Sequence, residues 1–320
     1  MSRPRLVILR PLGLGDLLTA VPAMRAAARA FPRHERLLAG PASLAQLAML
    51  SRAIDQVVDT MPLRPLSDPL RHASVAIDLH GRGPASQRIL LAGGARRLIA
   101  FANPQVPETR GFPEWREGEH EVDRWCRLLS ESGIPADPSD LDLETPRLQA
   151  PAIATGAAVI HPGAAYPARR WPVDRWAAVA RAIGPNVVIT GGPAERDLAS
   201  TVARLAGVPR ERVIAGQTDV IELAAVVAAA GIVISGDTGV AHLATALRRP
   251  SVVLFGPTAP SRWGPPADRP WHRVIWKAKT GDPNGPVAHP GLLEIEVREV
   301  LEEIEAVSAR PVSGAPAPVR

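Results

Sequence analysis

Apolar residues in this chain fall in short unbroken runs, separated by longer stretches in which they recur every three or four positions. Short runs read as buried strands and the periodic stretches as amphipathic helices. In the first half, strands are predicted over 6–9, 36–39, 55–59, 75–79 and 98–101, and helices over 17–30, 43–51, 85–91 and 121–131. From 134 to 155 the pattern dissolves into Pro, Asp and Ala, a composition typical of a linker. It then restarts. Strands are predicted over 158–160, 187–190, 232–235 and 252–255, and helices over 173–183, 194–206, 220–230, 240–247 and 297–307, with a short apolar piece over 213–215. Strands alternating with helices predict an α/β protein with parallel, doubly covered sheets. The break divides it into domains over 1–150 and 151–308. The Pro- and Ala-rich tail 309–320 is expected to be disordered.

Two of these strand–turn–helix units look alike. One runs Leu6-Val-Ile-Leu-Arg-Pro-Leu-Gly-Leu-Gly-Asp16, the other Ile232-Val-Ile-Ser-Gly-Asp-Thr-Gly-Val-Ala-His242. Each places an Asp beyond the carboxyl end of a strand, where open α/β sheets bind ligands. The expectation is of two nucleotide-binding-type domains facing a shared cleft.

Composition narrows the chemistry. A 46% hydrophobic fraction gives both domains a core, and Cys126, as the single cysteine, excludes an intramolecular disulfide and zinc sites built from several Cys. No secretory h-region is visible, and the longest apolar stretch, 223–234, is about half a bilayer span. A soluble, cytoplasmic protein is expected, with peripheral contact at the inner face of the cell membrane left open and no nucleic-acid partner. Charge is uneven: residues 1–100 carry 14 Arg against 6 acidic residues, and 101–150 carry 5 against 11. A basic first third suits an anionic partner; a scattered Arg surface that only aids solubility fits as well. Lys occurs only at 277 and 279, so any phosphate clamp elsewhere must use Arg, His or backbone N–H groups.

Three turns carry candidate chemistry. Gly13-Leu-Gly15-Asp16 is not a dinucleotide fingerprint, because Leu18 stands where the third glycine belongs. Asp16 there suits a helix N-cap as well as a reacting carboxylate. Gly236-Asp237-Thr238-Gly239 opens a helix whose free N–H groups suit a phosphate, with His242 about one turn in; capping is the plainer alternative. His161-Pro-Gly-Ala164-Ala165-Tyr-Pro-Ala-Arg169-Arg170 joins a strand to a helix and ends in paired Arg, which hold diphosphates bidentately. His161 reads as a packed or capping residue. Asp140-Leu-Asp142 lies in the linker rather than after a strand, and nothing demands a metal.

Taken together, these motifs resemble glycosyltransferase family 9, the heptosyltransferases of lipopolysaccharide core assembly. The resemblance covers roughly residues 5–305 and includes Leu254-Phe-Gly-Pro-Thr258. It implies a GT-B architecture of two Rossmann-like domains, the second holding the donor. It also implies metal-independent, inverting transfer from a nucleotide-activated heptose, typically ADP-heptose, with no cofactor, to a glycan or glycolipid acceptor. Carried onto this sequence, Asp16 resembles the catalytic base. Gly15, Ala164, Ala165, Arg169, Asp237, Thr238, Gly239 and His242 resemble the donor-binding set, Asp237 toward sugar hydroxyls and Arg169, Thr238, Gly239 and His242 toward the diphosphate. Arg169 stands where the family usually has Lys. Ala164 and Ala165 replace hydroxyl residues found in some members, and 280–289 lacks the cysteines of many relatives. Two other readings stay open. A nucleotide-sugar 2-epimerase of GT-B type would need more acid–base groups than Asp16 supplies. A non-catalytic nucleotide-sugar-binding protein would need no base. A dehydrogenase lacks its fingerprint.

Overall fold

The computed structural model describes residues 3–308, so the tail 309–320 lies outside the described residues. The chain forms two compact units, Met1–Leu141 and Asp142–Arg320. The division runs through the Asp-x-Asp segment. Asp140 is bound by Arg25 (2.6 Å) and Arg29 (2.9 Å) of the first unit. Asp142 is bound by Arg269 (2.7 Å) of the second, where Leu143 N–H also donates to Ala246 O. Each carboxylate serves as an anchor for its own unit.

The first unit runs β1 (Arg5–Leu9), α1 (Leu14–Thr19), α2 (Val21–Ala30), β2 (Glu35–Gly40), α3 (Ala45–Met49), β3 (Gln56–Asp59), β4 (Val75–Asp78), α4 (Ala85–Ala92), β5 (Leu98–Ile99) and α5 (Glu121–Glu131). Its five strands are parallel in the order β3-β2-β1-β4-β5. The helix predicted over 17–30 is two helices. Gly13 is the N-cap that opens α1 three residues earlier, and Ala20 caps α2, with Pro22 in its first turn. Pro has no N–H to continue a preceding helix, so the chain restarts there. Val7, Leu9, Leu37, Ala39 and Leu90 pack one face of the sheet. Cys126 is buried on α5 against Val122 and Leu141, and burial pushes its thiol up to about 12.

The second unit runs β6 (Ala158–His161), α6 (Val173–Ile183), β7 (Val187–Ile189), α7 (Arg196–Ala206), α8 (Val220–Ala229), β8 (Ile232–Gly236), α9 (Gly239–Ala246), β9 (Ser251–Phe255), α10 (Pro260–Trp263), β10 (His272–Trp276), α11 (Pro290–Leu293) and α12 (Val297–Ser308). The strands are again parallel, in the order β10-β9-β8-β6-β7. The 213–215 piece is one bridge from Val213 to Ile189 of β7. Counting that bridge as a rudimentary strand, both units wind outward from their first strand, and the order reverses between their first and fourth. Edge strand β10 went unread in the sequence because His-Arg-Val-Ile-Trp is only half-buried and lacks a continuous apolar run.

These reversals are the crevices where ligands bind in open α/β sheets. In the first unit the crevice lies beyond β1 and β4. In the second it lies beyond β6 and β8. The two Asp turns that look alike in sequence are therefore not topological counterparts: Asp16 follows a first strand and Asp237 a fourth.

Candidate functional sites

In the first unit, β1 is apolar from Leu6 to Leu9, and Arg10 follows it into the crevice with its side chain fully buried. Its Nε donates to Asp16 O (2.9 Å) and its Nη1 to Leu79 O beyond β4. Its Nη2 donates to Glu121 Oε1 (2.9 Å), Thr19 Oγ1 (3.3 Å) and Asp16 Oδ1 (3.4 Å). Asp16 is the third residue of α1 rather than its N-cap, and Oδ2 accepts from Gly13 N–H at 3.2 Å. Gly15 precedes it in the same first turn. The Asp16 side chain remains 31% exposed. Burial pushes its carboxyl above the usual range, Arg10 pulls it down, and Glu121 raises it again. A carboxylate so placed can reach an outside proton and has the basicity to accept it.

Nearby, Asp78 at the end of β4 is wholly buried and accepts from Ser86 Oγ (2.7 Å) and His80 N–H (3.0 Å). Burial pushes it up to about 6. His80 is held below its ordinary value by burial and Arg10, with Asp16 opposing. Its Nδ1 has no hydrogen-bond partner among the described residues.

In the second unit, Asp237 leaves β8 only 6% exposed. Burial pushes it up to about 6, against Arg169 and a hydrogen bond from the Thr258 hydroxyl. Thr238 is the N-cap of α9, yet its hydroxyl makes no capping bond and, buried, has no hydrogen-bond partner among the described residues. The plain capping reading of this turn is therefore not what the side chains do. Gly239 begins α9, and the His242 ring meets Trp263 edge-on at 5.7 Å.

The turn after β6 comes to the same place. Arg169 Nη1 donates to Asp237 O (3.3 Å), while its buried Nε has no hydrogen-bond partner among the described residues. A Cβ on Gly236 would sit 3.2 Å from Arg169 O, so glycine permits this close approach of the two turns. The paired arginines part company. Arg170 Nε turns back to Ala164 O (2.9 Å) and braces the loop, with Ala164 buried and Ala165 exposed. His161 is packed, as expected, with Nδ1 3.0 Å from Thr190 Oγ1 and Nε2 3.7 Å from Glu195 Oε2. Burial holds its ring below the ordinary value, with Glu195 opposing.

The structure thus gathers Arg169, Asp237, Thr238, Gly239 and His242 at one crevice, and Gly15 and Asp16 at another. Sequence reading missed Arg10, Glu121 and His80, and quoted Thr258 in a matching run without giving it a role. A lone charge directly after the apolar run Leu6–Leu9 was the available signal for Arg10. Among the described residues no group of three or more His, Cys, Asp or Glu could hold a metal ion.

Two open parallel sheets, each with polar side chains gathered at its reversal point, give the two-domain α/β architecture of GT-B type. The chain belongs to glycosyltransferase family 9 (heptosyltransferase), whose family model matches residues 111–280. Solved structures share the fold. E. coli ADP-heptose lps heptosyltransferase II is 23% identical with a TM-score of 0.73, covering 95% of this chain and 98% of that one. E. coli heptosyltransferase WaaC, solved with ADP, is 21% identical with a TM-score of 0.67, covering 95% and 99%. TibC of enterotoxigenic E. coli H10407, described as an iron-containing dodecameric glycosyltransferase, is 16% identical with a TM-score of 0.58, covering 96% and 78%. No curated protein sequence matches the chain.

Proposed function

We propose that this glycosyltransferase moves a heptose or similar sugar from an ADP-linked donor to a hydroxyl of a glycan or glycolipid, inverting the anomeric carbon without a metal. The observation that carries the reading is the pair of unmet polar groups, Arg169 Nε and Thr238 Oγ1, buried where α9 begins. Buried donors without partners are costly, and a diphosphate would satisfy both while meeting the helix N-terminus. The family match and heptosyltransferase neighbours described with ADP-heptose and ADP support the donor class.

In this mechanism Asp16 takes the proton from the acceptor hydroxyl as that oxygen attacks the anomeric carbon. The bond from the anomeric carbon to the diphosphate oxygen breaks, and ADP leaves with the electron pair. Single displacement inverts the centre. Arg169, Gly239 N–H and His242 stabilise the charge developing on ADP, Asp237 holds sugar hydroxyls, and Gly15 and the Ala164–Ala165 backbone line the donor. The Arg excess of residues 1–100 supports an anionic acceptor, in solution or at the inner face of the cell membrane.

The test is a screen of ADP-, GDP- and UDP-sugars, with ADP-heptose included, for binding and for transfer in EDTA. Preferred binding of the ADP-sugar and EDTA-resistant transfer are expected. A preference for another nucleotide would overturn the donor class, and a strict metal requirement would overturn the metal-free step.

A further inference from the structure

A base must be held in place without being neutralised. Arginine beside a carboxylate does the first and threatens the second, because a close opposite charge favours the ionised form and weakens its hold on a proton. The Arg10 cluster contains an answer. Arg10 gives its best charged contact to Glu121 at 2.9 Å and leaves Asp16 Oδ1 at 3.4 Å, beyond the usual range of a charge-assisted hydrogen bond. Its firm hold on this turn is to the backbone carbonyl of Asp16. Its Cζ lies 4.8 Å from the centre of the Trp125 ring, which walls the guanidinium in. Glu121 is itself held: Trp125 Nε1 donates to Oε1 (2.8 Å) and Arg124 Nη1 to Oε2.

We propose that Arg10 is the positioning residue for Asp16 and that Glu121 is its counterweight, drawing the guanidinium so that Asp16 is oriented but stays basic. The proposal rests on Asp16 being the base. It adds that a buried acid on α5, remote in sequence, sets how strong that base is. The other titratable side chain facing Asp16 is His80, whose depressed ring is neutral near pH 7. Asp78, at the end of β4, is pushed up to about 6 by burial, with Arg10 opposing.

The test is carboxyl-carbon NMR of the full chain labelled at Asp, with the Asp16 signal assigned by its loss in Asp16→Asn. In Glu121→Gln the Asp16 midpoint moves down by about one pH unit, because Arg10 then acts on Asp16 undivided. In Arg10→Met it moves up by a similar amount. Arg10→Lys, which keeps the charge, restores the midpoint toward that of the parent. Opposite movements are what a merely structural role would not produce. Unmoved midpoints, or movement the same way in both variants, would overturn the proposal. If Arg10→Met fails to fold, the Glu121→Gln titration decides alone. Turnover of Asp16→Asn keeps the two ideas apart: normal turnover there removes the base, whatever the titrations show.

Discussion

Asp16 and Asp237 each lie beside an arginine, and the two arginines are in opposite states. Every nitrogen of Arg10 has a protein partner. Arg169 reaches one backbone carbonyl, and its buried Nε has no hydrogen-bond partner among the described residues. Around Arg10 the first unit meets the guanidinium entirely with its own groups, although His80 Nδ1 and Arg124 Nε nearby have no hydrogen-bond partner among the described residues. In the second, Arg169 Nε and Thr238 Oγ1 beside Asp237 are left unmet among the described residues. A group that must react at a fixed angle gains from rigid internal bonding, whereas a group that must bind gains from bonds it has yet to make. The contrast is what the proposed division into a reacting site and a binding site would require, on grounds independent of motif.

The comparison breaks first at Asp16. Asp16→Asn should lower transfer at least a hundredfold, the usual scale of general-base loss, with ADP affinity by calorimetry unchanged. Loss of ADP affinity with transfer intact would reverse the two roles.

Asp78 supplies a second, smaller test within the first unit. Its carboxyl stands at about 6 in the folded chain and 3.8 as the reference, so the native state holds the proton more tightly. That contribution is present at low pH and is lost as pH rises from about 4 through about 6, by at most about 3 kcal/mol. Asp78→Asn, neutral throughout, should match the parent in melts near pH 4 and exceed it near pH 7. Equal pH dependence in both would show that Asp78 does not titrate as its burial dictates.

The unmet groups of the second unit are probed by Arg169→Ala, expected to weaken ADP binding by about tenfold or more, as loss of a charged hydrogen bond implies; Arg169→Lys should retain part of it. The smallest effect is at Thr238. Because its hydroxyl makes no capping bond, Thr238→Val should change the melting temperature little while weakening ADP a few-fold. A large drop in stability with unchanged ADP affinity would restore the capping role.

Much of this was legible in the chain. All five strands of the first unit and four of the second follow from apolar runs, and the Asp237 turn stood out because Gly, Asp, Thr and Gly sit between a buried strand and a helix. The sequence likeness of the Asp16 and Asp237 turns placed each Asp correctly beyond a strand's carboxyl end but carried no topology, since likeness of motif says nothing of a strand's place in a sheet. Glu121 was unreadable for a different reason: its partner lies 111 residues away, and on an amphipathic helix a glutamate ordinarily faces water. The start of α1 was misplaced because Gly13, an unassuming N-cap, opens the helix ahead of its first apolar pair.

Cys126 has a practical consequence. Buried, with its thiol pushed up to about 12, it offers almost no thiolate near neutral pH, and thiolate is the form that maleimides attack. Cys126 in the native chain should therefore react with maleimides far more slowly than an exposed cysteine. A new cysteine placed on the surface of either unit could then carry a dye without first replacing Cys126.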